Sequence, residues 1–452
     1  VPPRRPGPAA GRALHEIAFL LLLAVLAGRL FVGEFTHRAA AAASARQLAA
    51  DEAAEEISVA RRSQPARALA AVALLAAVGL WLAGSAAGAP AAFRPRWLAG
   101  AIVAFAALAA ISAARAPDAR AAWLAGLEQV SLLAAGWLAA QLCAGPAGRR
   151  RRAVLVAVLV GLAGALAAKG LYQVAVEIPE TAAYFEAYGH DLGSDPTARA
   201  LLATRIHERT PTGYLGLANL FASGLLVLAG AAAGSALDAL ATAWRQRRIW
   251  RAGATKGELH VPTLAALGRA AVALAAIGVL VLTRSRGAVL AGVLCAGGGA
   301  AAWRLRGWLR PRWRAAFAIG VFAVAAGLGA MALYGLRTGR LPTRTMTFRW
   351  HYWTGAARTV ADRPIFGAGP GNFPTAYLRH RPAGAEEEVK TPHNVLAHAA
   401  AEYGLAGGAV YVAILLGMLA AALRPEGAAG EPAAVQGRHG HATRGRDARD
   451  TA

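Results

Sequence analysis

The sequence has few cysteines, few charged residues and fewer acidic than basic residues. Its only cysteines, Cys143 and Cys295, both lie in apolar runs, so neither a disulfide framework nor a thiolate metal site is expected. Only 16% of the 452 residues are charged whereas 56% are hydrophobic. With a mean hydropathy of +0.40, this composition excludes an ordinary soluble globular domain.

Long apolar runs are the main feature that is present. A helix needs about 20 mostly apolar residues to cross the ~30 Å hydrocarbon core of a bilayer. Runs of about that length occur at 17–32, 68–84, 97–114, 121–143, 153–174, 213–234, 262–282, 287–303, 315–336 and 405–423. Their Ala, Gly and Leu content favours close-packed helices over the short alternating strands of a β-barrel. The sequence therefore predicts an all-α polytopic integral membrane protein with about ten, and up to twelve, transmembrane helices.

The excess of basic residues, which gives a net charge of +23, occurs in short bursts between the apolar runs. Bursts at 149–152, 245–256 and 304–314 follow the fourth, sixth and eighth predicted spans. The positive-inside rule places these loops in the cytoplasm and the loops after odd-numbered spans outside. The pattern argues against nucleic-acid binding and favours contact with anionic membrane lipids.

The predicted spans divide the chain into regions. Residues 1–174 form an N-terminal group of helices, whose charged segment at 34–66 is either a solvated helix outside the membrane or a charged linker. Residues 175–423 form a second membrane region, with a large outer loop at 337–395 before the last helix. The tail at 424–452 is predicted to be disordered and cytoplasmic. We favour the first apolar run as a retained helix over a cleaved signal peptide.

Two arginines flank a serine at the outer end of the seventh predicted span. Arg284 and Arg286 bracket Ser285 immediately before the eighth span begins. They could be membrane-surface anchors, but the positive-inside rule does not favour arginines on the outer side. Because a guanidinium presents five donors in a planar fork that suits a diphosphate, we interpret the pair as an anion site.

A second arginine site ends the outer loop before the sixth span. Arg205 and Arg209 precede Gly213, Tyr214 and Asn219 there. Either arginine could be the functional one. Both could instead balance the acidic residues of the loop.

His393 is the strongest candidate for proton transfer. In Thr391-Pro392-His393-Asn394, the threonine suits a helix N-cap and the proline the first helical position, which predicts that the imidazole lies in the first turn of the last helix. The helix dipole would favour a neutral ring there, able to accept a proton from a hydroxyl, although a hydrogen-bonded cap histidine is the alternative. His398 is five residues away and off the same face, so no metal site is predicted.

The sequence GAGPGNF at 367–373 forms a Gly-rich turn between these candidates. Gly369 and Asn372 in this turn could let a ligand approach the backbone closely, or they could belong to a plain loop turn. Glu402 lies nine residues after His393, about half a turn out of phase on a continuous helix, so we interpret it as a structural or interhelical partner.

The order of these residues resembles the signature of the O-antigen ligase and polymerase superfamily over roughly residues 209–407. The resemblance rests on the Ser-Arg-Gly element ending at Gly287, on Arg349 with Trp353, on the Gly-rich turn, and on the His-Asn pair that precedes the last helix. It implies that three residues are catalytic: His393, Arg286 and Arg209. Together with the interpretation of the arginine pair as an anion site, it predicts that six residues bind substrate: Arg205, Arg284, Arg349, Gly369, Asn372 and Asn394.

The resemblance implies a metal-independent glycosyltransferase without a cofactor. The donor would be a glycan on undecaprenyl diphosphate, and the acceptor lipid A-core or another glycan or lipid. The site would face the periplasm from a bacterial inner membrane. Because the attack is in line, the transfer would be inverting.

Three other functions are weighed against ligation of a finished polysaccharide. A polymerase of the same superfamily would extend the glycan on its own carrier, and sequence separates it poorly from the favoured ligase. A small-anion transporter, for example of inorganic carbon, should show internal repeats or broken helices near the bilayer midplane, and the sequence indicates neither. A structural protein of the envelope is the least favoured reading.

Overall fold

The computed structural model describes residues 8–44, 52–90, 95–144, 148–188, 209–214, 218–251, 260–383, 385 and 389–423. Every regular element in these residues is a helix. Ten of the helices are long and apolar enough to cross a membrane, which confirms the predicted all-α polytopic fold. The tail at 424–452 and its predicted disorder lie outside the described residues.

Five long helices form the N-terminal part. They are α1 (Pro8–Ser44), α2 (Glu52–Ala86), α3 (Arg96–Ala114), α4 (Ala119–Cys143) and α5 (Gly148–Tyr172). A π-helical turn, Gln173–Glu177, continues α5 into α6 (Ile178–Tyr188). The described parts of the charged segment 34–66 are helical continuations of α1 and α2, mostly outside the candidate membrane spans, and the choice between a solvated helix and a charged linker stays a prediction.

The C-terminal part begins with α7 (Ala218–Arg251), α8 (His260–Leu282), α9 (Arg286–Arg304), α10 (Arg306–Leu309) and α11 (Trp313–Thr338). The predicted outer loop at 337–395 contains two further helices, α12 (Arg344–Asp362) and α13 (Phe373–His380), and α14 (Val395–Leu423) closes the chain. Gly339 ends α11 in a left-handed conformation with φ of 71°, and Thr343 caps α12 by accepting a hydrogen bond from the Met346 amide.

The described helices pack through four apolar clusters, of which the smallest joins α12, α13 and α14 around Tyr352, Phe373 and Tyr377. Leu166 of α5, Phe221 of α7 and Val279 of α8 centre the first cluster. The second joins α1, α2 and α4, and the third joins α3, α4 and α14. Because α4 belongs to two clusters, it links the N-terminal helices to the last helix. In contrast, α9 has no buried residue and α11 buries only Gly335.

A triad of charged residues joins the same three helices as the second cluster. Arg29 of α1 and Arg67 of α2 both donate to the carboxylate of Glu128 in α4. Charged residues inside membrane-spanning helices are tolerated when they pair with one another. The triad therefore fixes α1 and α2 against α4, an arrangement that the sequence did not indicate.

Candidate functional site

The last helix is broken at Gly404, whose φ of 73° and ψ of −178° are not helical. Residues 364–372 form a segment that we call the glycine loop. Backbone groups that the break leaves without helical partners form hydrogen bonds with this loop. Three hydrogen bonds join them: Ala368 N to Ala401 O at 2.8 Å, Gly369 N to Glu402 O at 3.0 Å, and Leu405 N to Pro364 O at 2.8 Å. The sequence did not indicate this break in the last helix. Because these bonds are made to protein, the break does not resemble the ion-lining breaks of transporters.

Glu402 strengthens the same contact with its side chain. The carboxylate is buried, and its Oε1 accepts a hydrogen bond of 2.8 Å from Gly371 N and lies 3.0 Å from His398 Nε2. Ser112 of α3 donates to the carbonyls of Phe366 and Glu402, at 2.6 and 2.9 Å. These bonds fit the interpretation of Glu402 as an interhelical partner.

The other side of the glycine loop lies against the turn between α3 and α4. Asn372 is buried and exchanges hydrogen bonds with the Asp118 backbone, accepting from its amide at 3.0 Å and donating to its carbonyl at 3.2 Å. A Cβ on Gly369 would lie 2.3 Å from Ala116 Cβ. Both residues therefore have close protein neighbours, and their predicted part in substrate binding stays a prediction.

Replacing Gly404 with alanine should break this junction. The new Cβ would lie 2.2 Å from Ile365 O and would hold a left-handed backbone conformation. We expect the free energy of unfolding to fall by about 3 kcal/mol or more, measured by thermal unfolding in detergent. The control is Gly278→Ala in α8, where nothing lies within 4 Å and an effect of at most about 1 kcal/mol is expected. Equal stability of the two variants would contradict this account of the break.

The start of α14 differs from the sequence prediction. The helix begins at Val395, and the N-cap is Asn394, whose Oδ1 accepts from Leu396 N at 3.0 Å and Ala397 N at 3.2 Å. The predicted cap, Thr391, was wrong because asparagine caps at least as well as threonine and stands where the helical backbone starts. His393 therefore lies before the cap, not in the first helical turn.

His393 occupies a strained and exposed position. Its φ is 49°, in the left-handed region that residues other than glycine rarely adopt. Its ring lies 5.8 Å from the ring of Tyr352 in α12, and the indole of Trp353 donates to Pro392 O at 3.0 Å. These contacts attach the histidine segment to α12. Arg349, one turn earlier on α12, is exposed.

Asn394 can be tested as a cap rather than as a ligand-binding residue. Asn394→Ala removes the acceptor for two backbone amides and should lower the free energy of unfolding by about 1 kcal/mol. Asn394→Asp keeps an acceptor, so we expect stability and activity close to wild type. A stable Asn394→Asp variant without activity would instead show that the side-chain amide group contacts substrate.

The turn between α8 and α9 presents two arginines. Thr283 and Ser285 are buried, and Ser285 Oγ donates to Asn219 Oδ1 of α7 at 2.9 Å. Arg284 and Arg286 point to the surface, and neither pairs with a carboxylate among the described residues. Arg284 has a left-handed φ of 51°. The serine therefore holds the turn while both guanidinium groups remain exposed.

The segment before α7 is held by the π-helical turn. Gln173 Oε1 accepts from the amides of Thr212 and Gly213, at 3.0 and 2.7 Å. Arg209, at the start of this segment, is exposed with φ of 45°. Arg205 lies outside the described residues. π-helical turns inside α-helices occur frequently at functional sites, and this one orders the stretch that follows Arg209.

A lysine beside this segment was not among the candidates selected from the sequence. Lys169 pairs with Glu177 at 2.5 Å and lies over the rings of Tyr172 and Tyr214, at 5.7 and 5.5 Å. A signal was available, because a charged residue inside an apolar run is a functional candidate by default.

Backbone strain coincides with the predicted site. Among the described residues, only three other than glycine have positive φ: Arg209, Arg284 and His393. Such conformations cost on the order of 1–3 kcal/mol each, and they cluster at functional sites. Each of the three lies in a different candidate segment, and all three were selected from sequence.

The three strained residues also share one side of the predicted topology. Arg209 follows the fifth candidate span, Arg284 the seventh and His393 the ninth. Since successive spans alternate in direction, segments that follow odd-numbered spans lie on the same side. No group of three or more metal-ligating side chains occurs in the described parts of the chain. Metal independence stays a prediction from sequence.

This fold defines a multi-pass α-helical membrane protein, whose exposed candidate arginines and histidine lie in segments that the predicted topology assigns to one side. Residues 271–412 match the family model for O-antigen ligase. This region is thus similar to the O-antigen ligase family, which confirms the resemblance. It includes Arg284, Arg286, Arg349 and His393 but not Arg209. The chain matches no curated protein and no solved structure.

Proposed function

We propose that the protein is a membrane glycosyltransferase that moves a glycan from undecaprenyl diphosphate onto an acceptor hydroxyl, most simply as an O-antigen ligase. The observation that carries the proposal is the coincidence of left-handed backbone at Arg209, Arg284 and His393 with candidate site residues that were selected from the sequence. Strain of this kind persists only where the surrounding structure enforces it.

The arginine turn is suited to bind the donor diphosphate. Arg286 is the first residue of α9, and the side chain of its N-cap residue, Ser285, does not cap that helix. A helix N-terminus attracts anions through its free amides and dipole, and a cation placed there is unfavourable until an anion binds. Arg284 and Arg286 with this helix end would therefore hold a diphosphate more strongly than the arginines alone. Arg209 would approach the same anion from the segment before α7.

His393 is the proposed base. The acceptor oxygen attacks the anomeric carbon while the bond from that carbon to the diphosphate oxygen breaks, and the hydroxyl proton passes to an imidazole nitrogen. The electron pair of the broken bond leaves with the diphosphate, whose added charge the arginines stabilise. No general acid is needed on the leaving side, and attack opposite the leaving group inverts the anomeric centre. The position of His393 in an exposed turn, with Tyr352 beside it, leaves the ring accessible to an acceptor.

The donor chemistry sets the proposed location. Undecaprenyl diphosphate belongs to the bacterial inner membrane. The basic bursts after even-numbered spans favour a cytoplasmic location for those loops. The site would then face the periplasm. Lipid A-core is the acceptor that a ligase would use. A polymerase would use a second carrier-linked glycan at the same site.

The test is transfer of labelled glycan from undecaprenyl diphosphate in membranes of the native host. Wild type is compared with His393→Ala and Arg286→Ala. Label that moves onto core lipid only in wild type supports the ligase. Label that accumulates in longer carrier-linked chains would instead support the polymerase function. Equal transfer in all three membranes would refute the proposed site.

A further inference from the structure

An apolar groove runs between the weakly packed helix α11 and the last helix. Its volume is about 810 Å³, and Val321 and Val324 of α11 face Leu415 and Leu419 of α14 across it. Because α11 buries only Gly335, its apolar side chains have almost no protein neighbours. In a bilayer this groove is open to acyl chains, which are as apolar as its walls.

Arginines line one end of the groove. Arg306 and Arg310 belong to the connection between α9 and α11 and contribute to the lining. The sequence from 286 to 338 contains no Asp or Glu, so this connection supplies no carboxylate for either arginine. Among the described residues neither arginine forms an ion pair, so the groove ends in two positive charges that would attract an anion.

Tryptophans surround the same end. Arg306 stacks over Trp303 at 4.7 Å, Arg312 over Trp308 at 5.2 Å and Arg314 over Trp313 at 5.7 Å. Tryptophan and arginine together are typical of the level of lipid headgroups. The connection thus lies where a phosphate headgroup would sit, with the groove extending into the hydrocarbon.

We propose that this groove binds an anionic phospholipid, with its phosphate held by Arg306 and Arg310 and its acyl chains between α11 and α14. Basic pockets between membrane helices favour anionic headgroups in this way. The site differs from the proposed donor site, because the connection follows the eighth candidate span and the arginine turn follows the seventh. A donor lipid with its diphosphate at Arg286 would leave Arg306 and Arg310 without an anion. A second copy of the chain is not the proposed occupant, because it would bring the same positive charge to this end of the groove.

The bound lipid would position the catalytic region. α14 carries both the broken turn at Gly404 and, at its start, the His393 segment, whereas α11 has little direct packing. Acyl chains that fill the groove would connect the two helices. Removing the lipid should therefore lower thermal stability.

The experiment measures lipid binding to the purified full chain by native mass spectrometry and thermal unfolding. Phosphatidylglycerol is compared with phosphatidylcholine in detergent. We expect phosphatidylglycerol to bind at least tenfold more tightly and to raise the Tm. The double variant Arg306→Gln/Arg310→Gln should bind phosphatidylglycerol about 30-fold more weakly, since each arginine near a headgroup contributes about a factor of five.

A matched control separates this site from general surface charge. Arg149→Gln/Arg150→Gln removes the same charge from an exposed burst after the fourth span, on the same side but outside the groove lining, and should leave binding unchanged. Val324→Trp fills the groove without changing charge and should weaken binding as well. Equal loss in the two arginine double variants would overturn the proposal. So would equal binding of both lipids, or displacement of phosphatidylglycerol by a polyisoprenyl phosphate.

Discussion

Arg286→Ala should reduce glycan transfer by about 100-fold or more without unfolding the protein. The guanidinium is exposed at the first residue of α9, so its removal creates no cavity. Its loss removes a donor that stabilises charge developing on the departing diphosphate. Arg286→Lys should recover part of the rate, because lysine keeps the charge but not the planar fork. Rates are measured with labelled donor, and stability by thermal unfolding.

The matched control for Arg286 is Arg340→Ala. Arg340 is exposed in the loop after α11, on the same side of the predicted topology, and has no left-handed backbone. We expect transfer within about twofold of wild type, as for ordinary surface changes. A similar loss in both variants would mean that Arg286 acts only through overall charge on that side.

Replacing His393 should separate activity from stability. His393→Gln keeps a polar side chain but cannot serve as a base, and should lower transfer by about 100- to 10,000-fold. His393→Gly should be equally inactive, yet its stability should equal that of wild type or exceed it by up to about 1 kcal/mol, because glycine adopts positive φ without strain. Loss of stability in His393→Gly would show that the histidine has a packing role instead.

The membrane fold could be predicted from the sequence because length and composition alone identify a transmembrane helix. All ten predicted spans correspond to long helices of the described structure. What the sequence could not show was which helices touch. The triad of Glu128 with Arg29 and Arg67 joins residues far apart in the chain, and local patterns carry no information on such pairs.

The residues of the candidate site could be predicted from the sequence, but their backbone conformation could not. Arg284, Arg286 and His393 were selected by residue type and position, whereas the left-handed backbone of Arg284 and His393 and the loss of helical structure at Gly404 depend on tertiary contacts. Asn372 shows the opposite case. Its place in a Gly-rich turn suggested a ligand, and only the fold revealed its bonds to Asp118.

The most direct test of the central claim uses the purified chain alone in proteoliposomes, with labelled glycan on undecaprenyl diphosphate, an acceptor lipid and EDTA. The account predicts transfer by wild type, with inversion at the anomeric carbon and no need for a metal, and none by His393→Gly even though that variant remains folded. Transfer by folded His393→Gly at the wild-type rate, or wild-type transfer that is restored only by adding a divalent metal, would contradict it.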